Sequence, residues 1–574
     1  MGDLTLTHER IDDIPLLVKL GQKLQLDTAV DTHLGTHGLH QGLSNGQLTV
    51  VWLAYILSEG DHRKAHVEDW AWRHRRILAR LLGCPVRRVD FTDDRLGNLL
   101  QRFSVTAKWQ ALEAAVWRTS VAVYALETEL VRVDSTTSYG YHQVQPEGVM
   151  QHGYSKDHRP DLPQLKLMAA MAEPGGHWVG TDLYSGEEAD DDLYLPLIGR
   201  VRTLVGPGKL YCGDGKMGSL ATRASLAAAG DYYLTRLGRN LVSESHWQAW
   251  EAQRDAADSM TLLWVEGQVV GWGCEWAHAL SAPVAAVPFT WEERLQWVYA
   301  PARAAQQRQA LETRLQQAEA ALWALTPAPG RGKRQIRDEA ALQTRIHALE
   351  TQYQVAGLLH VQWVREEQRQ TQYVGRGRGN ATRPTRAVVQ ARYQIIAVAR
   401  DPDAVAAVQA ALGWAVQVTN APVSRLTLPV ATRTYREGWH LEHTFHTFKA
   451  APIGVSPLFV WQDDQIQGLT RLLTLALRLL TLIETQVAQG LAAAGTPLAG
   501  LYEGQPTRTT AHPTAKRLLR SLGRADITWT LVQMTNHSET YLSPRPPWLA
   551  QVLAYLQLPL DLYDSLTDNS SFSF

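Results

Sequence analysis

Three carboxylates in the chain are placed where they could do metal-assisted chemistry. Asp134 ends the short β-branched run LVRVD (130–134), Asp214 ends KLYCGD (209–214), and Glu442 lies within YREGWHLEHTFHTFK (435–449). If the two runs are neighbouring parallel strands, both aspartates meet at one sheet edge, where such sheets place their chemistry. A helix packed across them would deliver Glu442. Clustered carboxylates resist simultaneous ionisation unless a cation sits among them. Oxygen-only ligation favours Mg²⁺, with Mn²⁺ able to substitute, over zinc. Two such ions about 3.5–4 Å apart can activate a water or a 3′-hydroxyl and stabilise the leaving oxygen of an in-line phosphoryl displacement.

The elements around these residues follow from local pattern. On a helical plot of 435–449, Tyr435, Trp439, Glu442, His446 and Lys449 share one stripe, and Leu441, Phe445 and Phe448 form the adjoining apolar stripe. Glu442 then stands between an aromatic and a cation, and Pro452 and Gly454 end the helix. Trp439 has two readings, stacking on an unpaired base or burial. Upstream, strands are expected over 130–134, 165–172, 177–184, 209–214 and 232–237, with helices over 191–204 and 219–229. That order is mixed α/β.

Five segments are expected. Residues 1–125 read as a helical N-terminal domain and 126–240 as the first part of the α/β core. Residues 241–430 read as an insertion with short strands and a helical pair split by the breaker at 326–334. Residues 431–490 return to the core with the Glu442 helix, and 491–574 form a helical region ending in a loosely ordered tail.

Composition narrows the function classes. The 574 residues include 20 Trp and balance 56 basic against 57 acidic side chains, so any nucleic-acid surface must be local. Three cysteines without metal-ligand spacing suit a reducing compartment and argue against both a disulfide framework and a structural zinc site. The N-terminus lacks a basic-then-apolar signal pattern. The apolar run 469–483 is broken by Arg471 and Arg478, which favours a core helix over a membrane span. No GK[ST] loop and no GxSxG elbow occur.

Two local basic stretches are candidates for DNA contact. From Arg63 to Arg88, eight basic residues, among them Arg73, Arg75 and Arg76, meet two acids, Glu68 and Asp69, and alternate with Trp70 and Trp72. A phosphate footprint and a solvated helix face with inward tryptophans both fit. The segment YVGRGRGNATRPTR (373–386), with Arg376 and Arg378, fits a loop that tracks a nucleic-acid strand or a solvated hairpin tip. The acid run Glu187, Glu188, Asp190, Asp191 and Asp192 reads as charge at a helix N-terminus. His440, His443 and His446, three apart, drift round a helix and make a poor metal set.

These residues also resemble a known family. VDSTT around Asp134, CGDGKMGS around Asp214, and Tyr435, Glu442 and Lys449 in the register Tyr-x2-Arg-x3-Glu-x6-Lys are similar to DDE transposases of bacterial insertion sequences. HGLHQGLSNGQLTVVWLAYILSEGDHR, FTDDRLGNLL and GYSKDHRPDLPQLK resemble one subgroup, so the resemblance runs from about residue 9 to 525. It implies a ribonuclease-H-like core interrupted by an insertion, and Mg²⁺ held by Asp134, Asp214 and Glu442. It implies cleavage at terminal inverted repeats, transfer of the 3′-hydroxyl to target DNA, and Tyr435 and Lys449 on DNA-end phosphates. It further implies a homodimer holding two ends and a bacterial cytoplasmic protein, nucleoid-associated on DNA. The signature arginine position holds Gly438. The alternatives are an inactive or domesticated DNA-binding remnant and a nuclease without strand transfer.

Overall fold

The computed structural model describes residues 5–35, 41–253, 260–265, 267–330, 333–376, 382–534 and 537–567. In chain order, β1 (Thr5–Arg10) leads into α1 (Ile14–Lys23), α2 (Leu26–Leu34), α3 (Asn45–Glu59), α4 (Lys64–Arg73), α5 (Arg75–Leu82), α6 (Asp93–Ser104) and α7 (Thr106–Tyr124). The sheet region follows with β2 (Leu130–Tyr139), β3 (Gln164–Glu173), β4 (His177–Ser185), α8 (Tyr194–Val205), β5 (Leu210–Gly213), α9 (Leu220–Ala228) and β6 (Tyr232–Leu237). Next come α10 (Glu244–Gln253), β7 (Thr261–Val265), β8 (Gln268–Val284), β9 (Val287–Tyr299), α11 (Pro301–Leu325), α12 (Glu339–Gln352), β10 (Leu359–Tyr373), β11 (Thr385–Arg400), α13 (Pro402–Ala411) and β12 (Trp414–Thr419). The chain ends through α14 (Leu428–Arg436), α15 (Trp439–Lys449), α16 (Asp463–Ala494), β13 (Leu498–Ala499), β14 (Thr509–Thr510), α17 (Ala515–Leu522), β15 (Thr528–Met534), β16 (His537–Leu542) and α18 (Leu549–Tyr555).

The fold is mixed α/β. Its large sheet has nine strands in the order β4-β3-β2-β5-β6-β12-β9-β8-β7. β2–β3 and β3–β4 are antiparallel, whereas β2–β5 and β5–β6 are parallel. β3 is buried along its whole length, as a central strand covered on both faces must be.

Two compact units emerge. The first holds 1–238, 277–294 and 418–574, and the second 239–276 and 295–417. Stretches 277–294 and 418–430, expected within the insertion, therefore belong with the first unit. In the second unit much of the tryptophan excess is accounted for. Trp250 and Trp297 stack at 5.0 Å, and Trp247, Trp276 and Trp414 pack edgewise or tilted around them. A separate core in that unit joins α11, α12 and the β10–β11 hairpin through Leu315, Leu322, Leu342 and Ile395.

In the first unit, α16 is the central helix. It is long and apolar enough to cross a membrane, yet 94% of its most apolar window is buried within the protein. Arg471 and Arg478 point inward: Arg471 donates to the Phe103 carbonyl at 2.8 Å, and Arg478 donates to the Trp178 carbonyl at 2.7 Å. Arg478 also pairs with Glu113 of α7, which is fully buried. Glu113 further accepts from Arg200 (2.7 Å), the Thr181 amide (2.9 Å) and the Thr181 hydroxyl (2.7 Å). One carboxylate thus joins α7, α8, α16 and β4.

Residues 498–567 carry strands and helices, and of the two stretches expected to be poorly ordered, 544–547 leads into α18. β15 pairs with both β16 and β1, so the two ends of the chain form one sheet. Trp529 is buried there, and the Tyr563 hydroxyl donates to the Asp12 carbonyl at 2.6 Å. Residues 568–574 lie outside the described residues.

Breaking a buried ion pair by removing one partner costs about 3–5 kcal/mol. Glu113→Ala leaves Arg200 and Arg478 without their shared carboxylate and is expected to lower unfolding free energy by about that amount in urea titrations.

Candidate active site

Asp134 and Asp214 meet because β2 and β5 run parallel in register. Val133 lies opposite Gly213, one residue before each aspartate. Gly213 is required by the packing, since a Cβ there would sit 2.7 Å from the Met217 sulfur and 3.0 Å from the Val133 carbonyl oxygen. The Asp214 carboxylate accepts from the Tyr194 hydroxyl at 2.7 Å and the Lys216 amide at 2.9 Å. Asp134 accepts from the Ser135 amide at 2.7 Å, and the Lys156 ammonium lies 3.5 Å from it.

Burial pushes the Asp134 carboxyl up to about 6, Lys156 opposes that rise, and the Asp214 charge adds to it. Tyr194 is driven well above the ordinary phenol range, first by burial and then by the charges of Asp134 and Asp214. Tyr194 therefore remains a donor at any physiological pH.

A third aspartate adjoins this pair. Asp190 accepts from the Ser135 hydroxyl at 3.1 Å and ion-pairs with Lys166 (2.5 Å) and Lys156 (3.6 Å). Burial pushes its carboxyl up, but Lys166, Lys156 and Ser135 more than offset this and hold it below its ordinary value. Asp190 is thus part of a cation-bridged cluster, which corrects its assignment to a helix N-terminal charge run. Lys156 also donates to the Ser135 carbonyl and hydroxyl, both at 2.7 Å. Lys156 lies in the motif GYSKDHRPDLPQLK, but nothing in its local spacing pairs it with Asp134, 22 residues earlier.

The segment 435–449 is two helices, not one. α14 ends at Arg436, and α15 starts at Trp439 with Gly438 as its N-cap. Gly438 has ordinary right-handed backbone angles, φ −60° and ψ −5°, so it acts here only through its weak helix propensity. Tyr435 consequently leaves the stripe predicted for it. Its half-buried ring packs against the cluster of Leu210, Cys212, Leu234, Ala421, Leu426 and Ala431 and lies under the Arg236 guanidinium, 5.0 Å from the centroid. Burial pushes its phenol up to about 12, Arg236 opposes this, and Cys212, Asp214 and Asp134 raise it further.

α15 buries Leu441, Phe445 and Phe448, leaving Glu442 exposed. Among the described residues, no three His, Cys, Asp or Glu side chains form a group that could hold a metal ion. Asp134 and Asp214 are brought together, and Glu442 is not gathered with them. Trp439 is 57% exposed, with its ring against His440 at 3.8 Å. Lys449 pairs with Asp157 at 2.6 Å. Arg132 of β2 ties the end of α14 to the sheet: it donates to Glu173 (2.9 Å) and to the Thr434 carbonyl (2.6 Å). The His440 ring lies 3.5 Å from Glu173.

Half of the eight cations in the basic stretch 63–88 are paired with carboxylates. Arg63 pairs with Asp61 (2.9 Å), Lys64 with Asp93 (2.8 Å), Arg87 with Asp90 (3.0 Å) and Arg88 with Glu68 (2.6 Å). Three of those acids lie just outside the stretch, which is why a local count overstates its charge. Arg75 stacks on Trp72 at 4.2 Å, the Arg76 amide donates to Glu9, and Trp70 is buried. Arg73 is exposed and donates to the Asp69 carbonyl at 3.3 Å. In the second unit Arg376 is exposed, and Arg378 lies outside the described residues.

No protein-family model matches the chain, and no curated protein matches it. Among solved structures it is similar to a piggyBac transposase synaptic complex with hairpin DNA, seen by cryo-electron microscopy. The TM-score is 0.34 at 8% identity, over 98% of this chain and 88% of that one.

A carboxyl raised in the folded state adds stability that is complete below its unfolded value near 4 and is lost as pH rises through its folded value. For Asp134 that loss falls between about pH 4 and the folded value of about 6. Without divalent cations, Asp134→Asn is expected to gain on the order of 2 kcal/mol relative to wild type between pH 4 and 8. Denaturant midpoints across that range check the difference.

Proposed function

We propose that the protein is a DDE transposase with a ribonuclease-H-like core, cutting DNA at the ends of an insertion sequence and joining the 3′-hydroxyl to target DNA. The observation that carries this reading is the pair Asp134 and Asp214, side by side where the parallel pairing of β2 with β5 ends, with α15 packed against β2. The donors are carboxylate oxygens alone, and the Asp214 charge disfavours ionisation of Asp134. Such a set fits a hard divalent cation. Asp134, Asp214 and Glu442 would hold Mg²⁺ or Mn²⁺, which supplies charge neutralisation for phosphoryl transfer when bound.

The chain's own groups have separable tasks. Tyr194 and the Lys216 amide fix the Asp214 carboxylate, leaving its other oxygen for a ligand. Lys156 neutralises Asp134 and, released from it, would face a phosphate. Arg236 and Arg436 would take the anionic contact that Gly438 cannot make. Burial lowers the Arg436 guanidinium pKa, and so does the Arg236 charge, as expected of two cations awaiting a shared anion. Trp439, exposed on α15, is free to stack on a base, and Lys449 and Tyr435 would contact the DNA end. Two copies would hold the two ends.

A second reading, a DNA-binding remnant without catalysis, draws on Gly438 in the signature position and on Glu442 standing apart. Incubating the protein with Mg²⁺ and a labelled duplex carrying the gene's flanking inverted ends separates the two. Wild type is expected to nick and join those ends, while Asp214→Asn and Glu442→Gln each lose at least about 10²-fold in rate, as expected when charge stabilisation of a transition state is removed. Equal activity in Glu442→Gln would remove that residue from the site. Binding without cleavage by any variant would favour the remnant, and nicking without joined products a nuclease.

A further inference from the structure

The strongest unassigned feature lies where the two ends of the chain meet. A cavity of about 690 Å³ opens between the end of β1, the loop after β13, and α17 with the turn that follows it. Arg10, Arg517, Arg520 and Arg524 line it, against one carboxylate, Glu503. The whole chain carries a formal net charge of −1, so this concentration of arginine is local.

The partners of these arginines differ. Arg524 is paired with Glu503, and Arg10 with Asp12. Arg517 and Arg520 have no carboxylate partner among the described residues. Their orientation follows from α17, AKRLLRSL, which buries Leu518, Leu519 and Leu522 and so turns Lys516, Arg517 and Arg520 away from the core. Thr514 caps the helix by accepting from the Arg517 amide. The Tyr502 ring carries two guanidiniums, Arg508 at 4.1 Å and Arg517 at 4.9 Å from its centroid. That stacking holds both forks in place without neutralising them. Residues 63–88 differ in that four of their eight cations, Arg63, Lys64, Arg87 and Arg88, are paired with carboxylates.

We propose that this cleft binds the phosphate backbone of a DNA duplex, at a segment away from the residues around Asp134. Guanidinium forks without their own carboxylates match phosphate oxygens, and two of them, Arg517 and Arg520, along one open cleft suit successive phosphates of a chain. The inference rests on the transposase reading for its substrate and adds a second place where that substrate is held. None of the cleft residues belongs to the carboxylate site.

The test is equilibrium binding of the full chain to a fluorescent duplex across a range of KCl concentrations. Each lost phosphate contact reduces the slope of log K against log[salt] by about 0.9. Arg520→Ala is expected to reduce it by about 1 and Arg517→Ala with Arg520→Ala by about 2, with thermal midpoints close to wild type because Arg520 is exposed. Slopes equal to wild type in both variants overturn the cleft while leaving the transposase reading intact. A wild-type chain that binds no duplex overturns both. An ATP arm separates a free polyphosphate from DNA: ATP that binds the wild type but not the double variant, and leaves duplex binding unaltered, overturns the inference. Competition between ATP and duplex at the wild-type cleft supports it.

Discussion

Two carboxylates held side by side repel each other, and the site is organised around that repulsion. Asp134 and Asp214 have no freedom to separate, because the register of β2 on β5 places both at the same level. The chain compensates with the Tyr194 hydroxyl, the Ser135 and Lys216 amides and the Lys156 ammonium. Each compensating group comes from a different element or loop, so the segment 153–166, the entry to α8 and the turn after β5 are all drawn to one sheet edge. Burial, and after it the Asp214 charge, still raises the Asp134 carboxyl to about 6. A folded protein retains such a cost where the charge is used.

A second network sets where α14 and α15 lie on that edge. Arg132 points from β2 toward Glu173 of β3 and the last turn of α14, and Glu173 also accepts from the Gly175 and Gly176 amides. His440 reaches the same carboxylate from the first turn of α15. The break at Gly438 falls between these two anchor points. It lets α14 bury Tyr435 near the aspartates while α15 presents Glu442 on an independent axis. In the proposed enzyme, Arg132 and Glu173 are therefore positioning residues, acting on the helices and not on the substrate.

Much of the fold was legible because its signals are local. The β-branched run at 130–134 marks the start of β2, and β6 spans the residues expected from YYLTRL. The helical pair of the second unit was marked by the Pro- and Gly-rich breaker between α11 and α12. What stayed hidden depends on distant partners. β15 carries an ordinary alternating pattern, but its pairing with β1 joins residues more than 500 positions apart, as in Thr5 opposite Gln533. Of the site, both aspartates were visible as carboxylates closing apolar runs, although β2 continues past Asp134 to Tyr139. Lys156 and Asp190 were not, since only the fold brings them to Asp134. The charge of 63–88 was misjudged for a related reason: Asp61, Asp90 and Asp93 lie beyond the ends of the stretch yet pair with it. The Gly438 break could have been suspected from helix propensity, but the continuous stripe through Tyr435 concealed it.

The central proposal is that Asp134 and Asp214 hold a divalent cation whose site Glu442 of α15 would complete, and metal-directed cleavage of the polypeptide tests it most directly. Fe²⁺ replaces Mg²⁺ at such oxygen sites, and with ascorbate and peroxide it cuts the backbone beside the bound ion. The account predicts fragments ending near residues 134, 214 and 442, suppressed by excess Mg²⁺ and absent in Asp134→Asn. Fragments mapping elsewhere, or a pattern unchanged in Asp134→Asn, would contradict it.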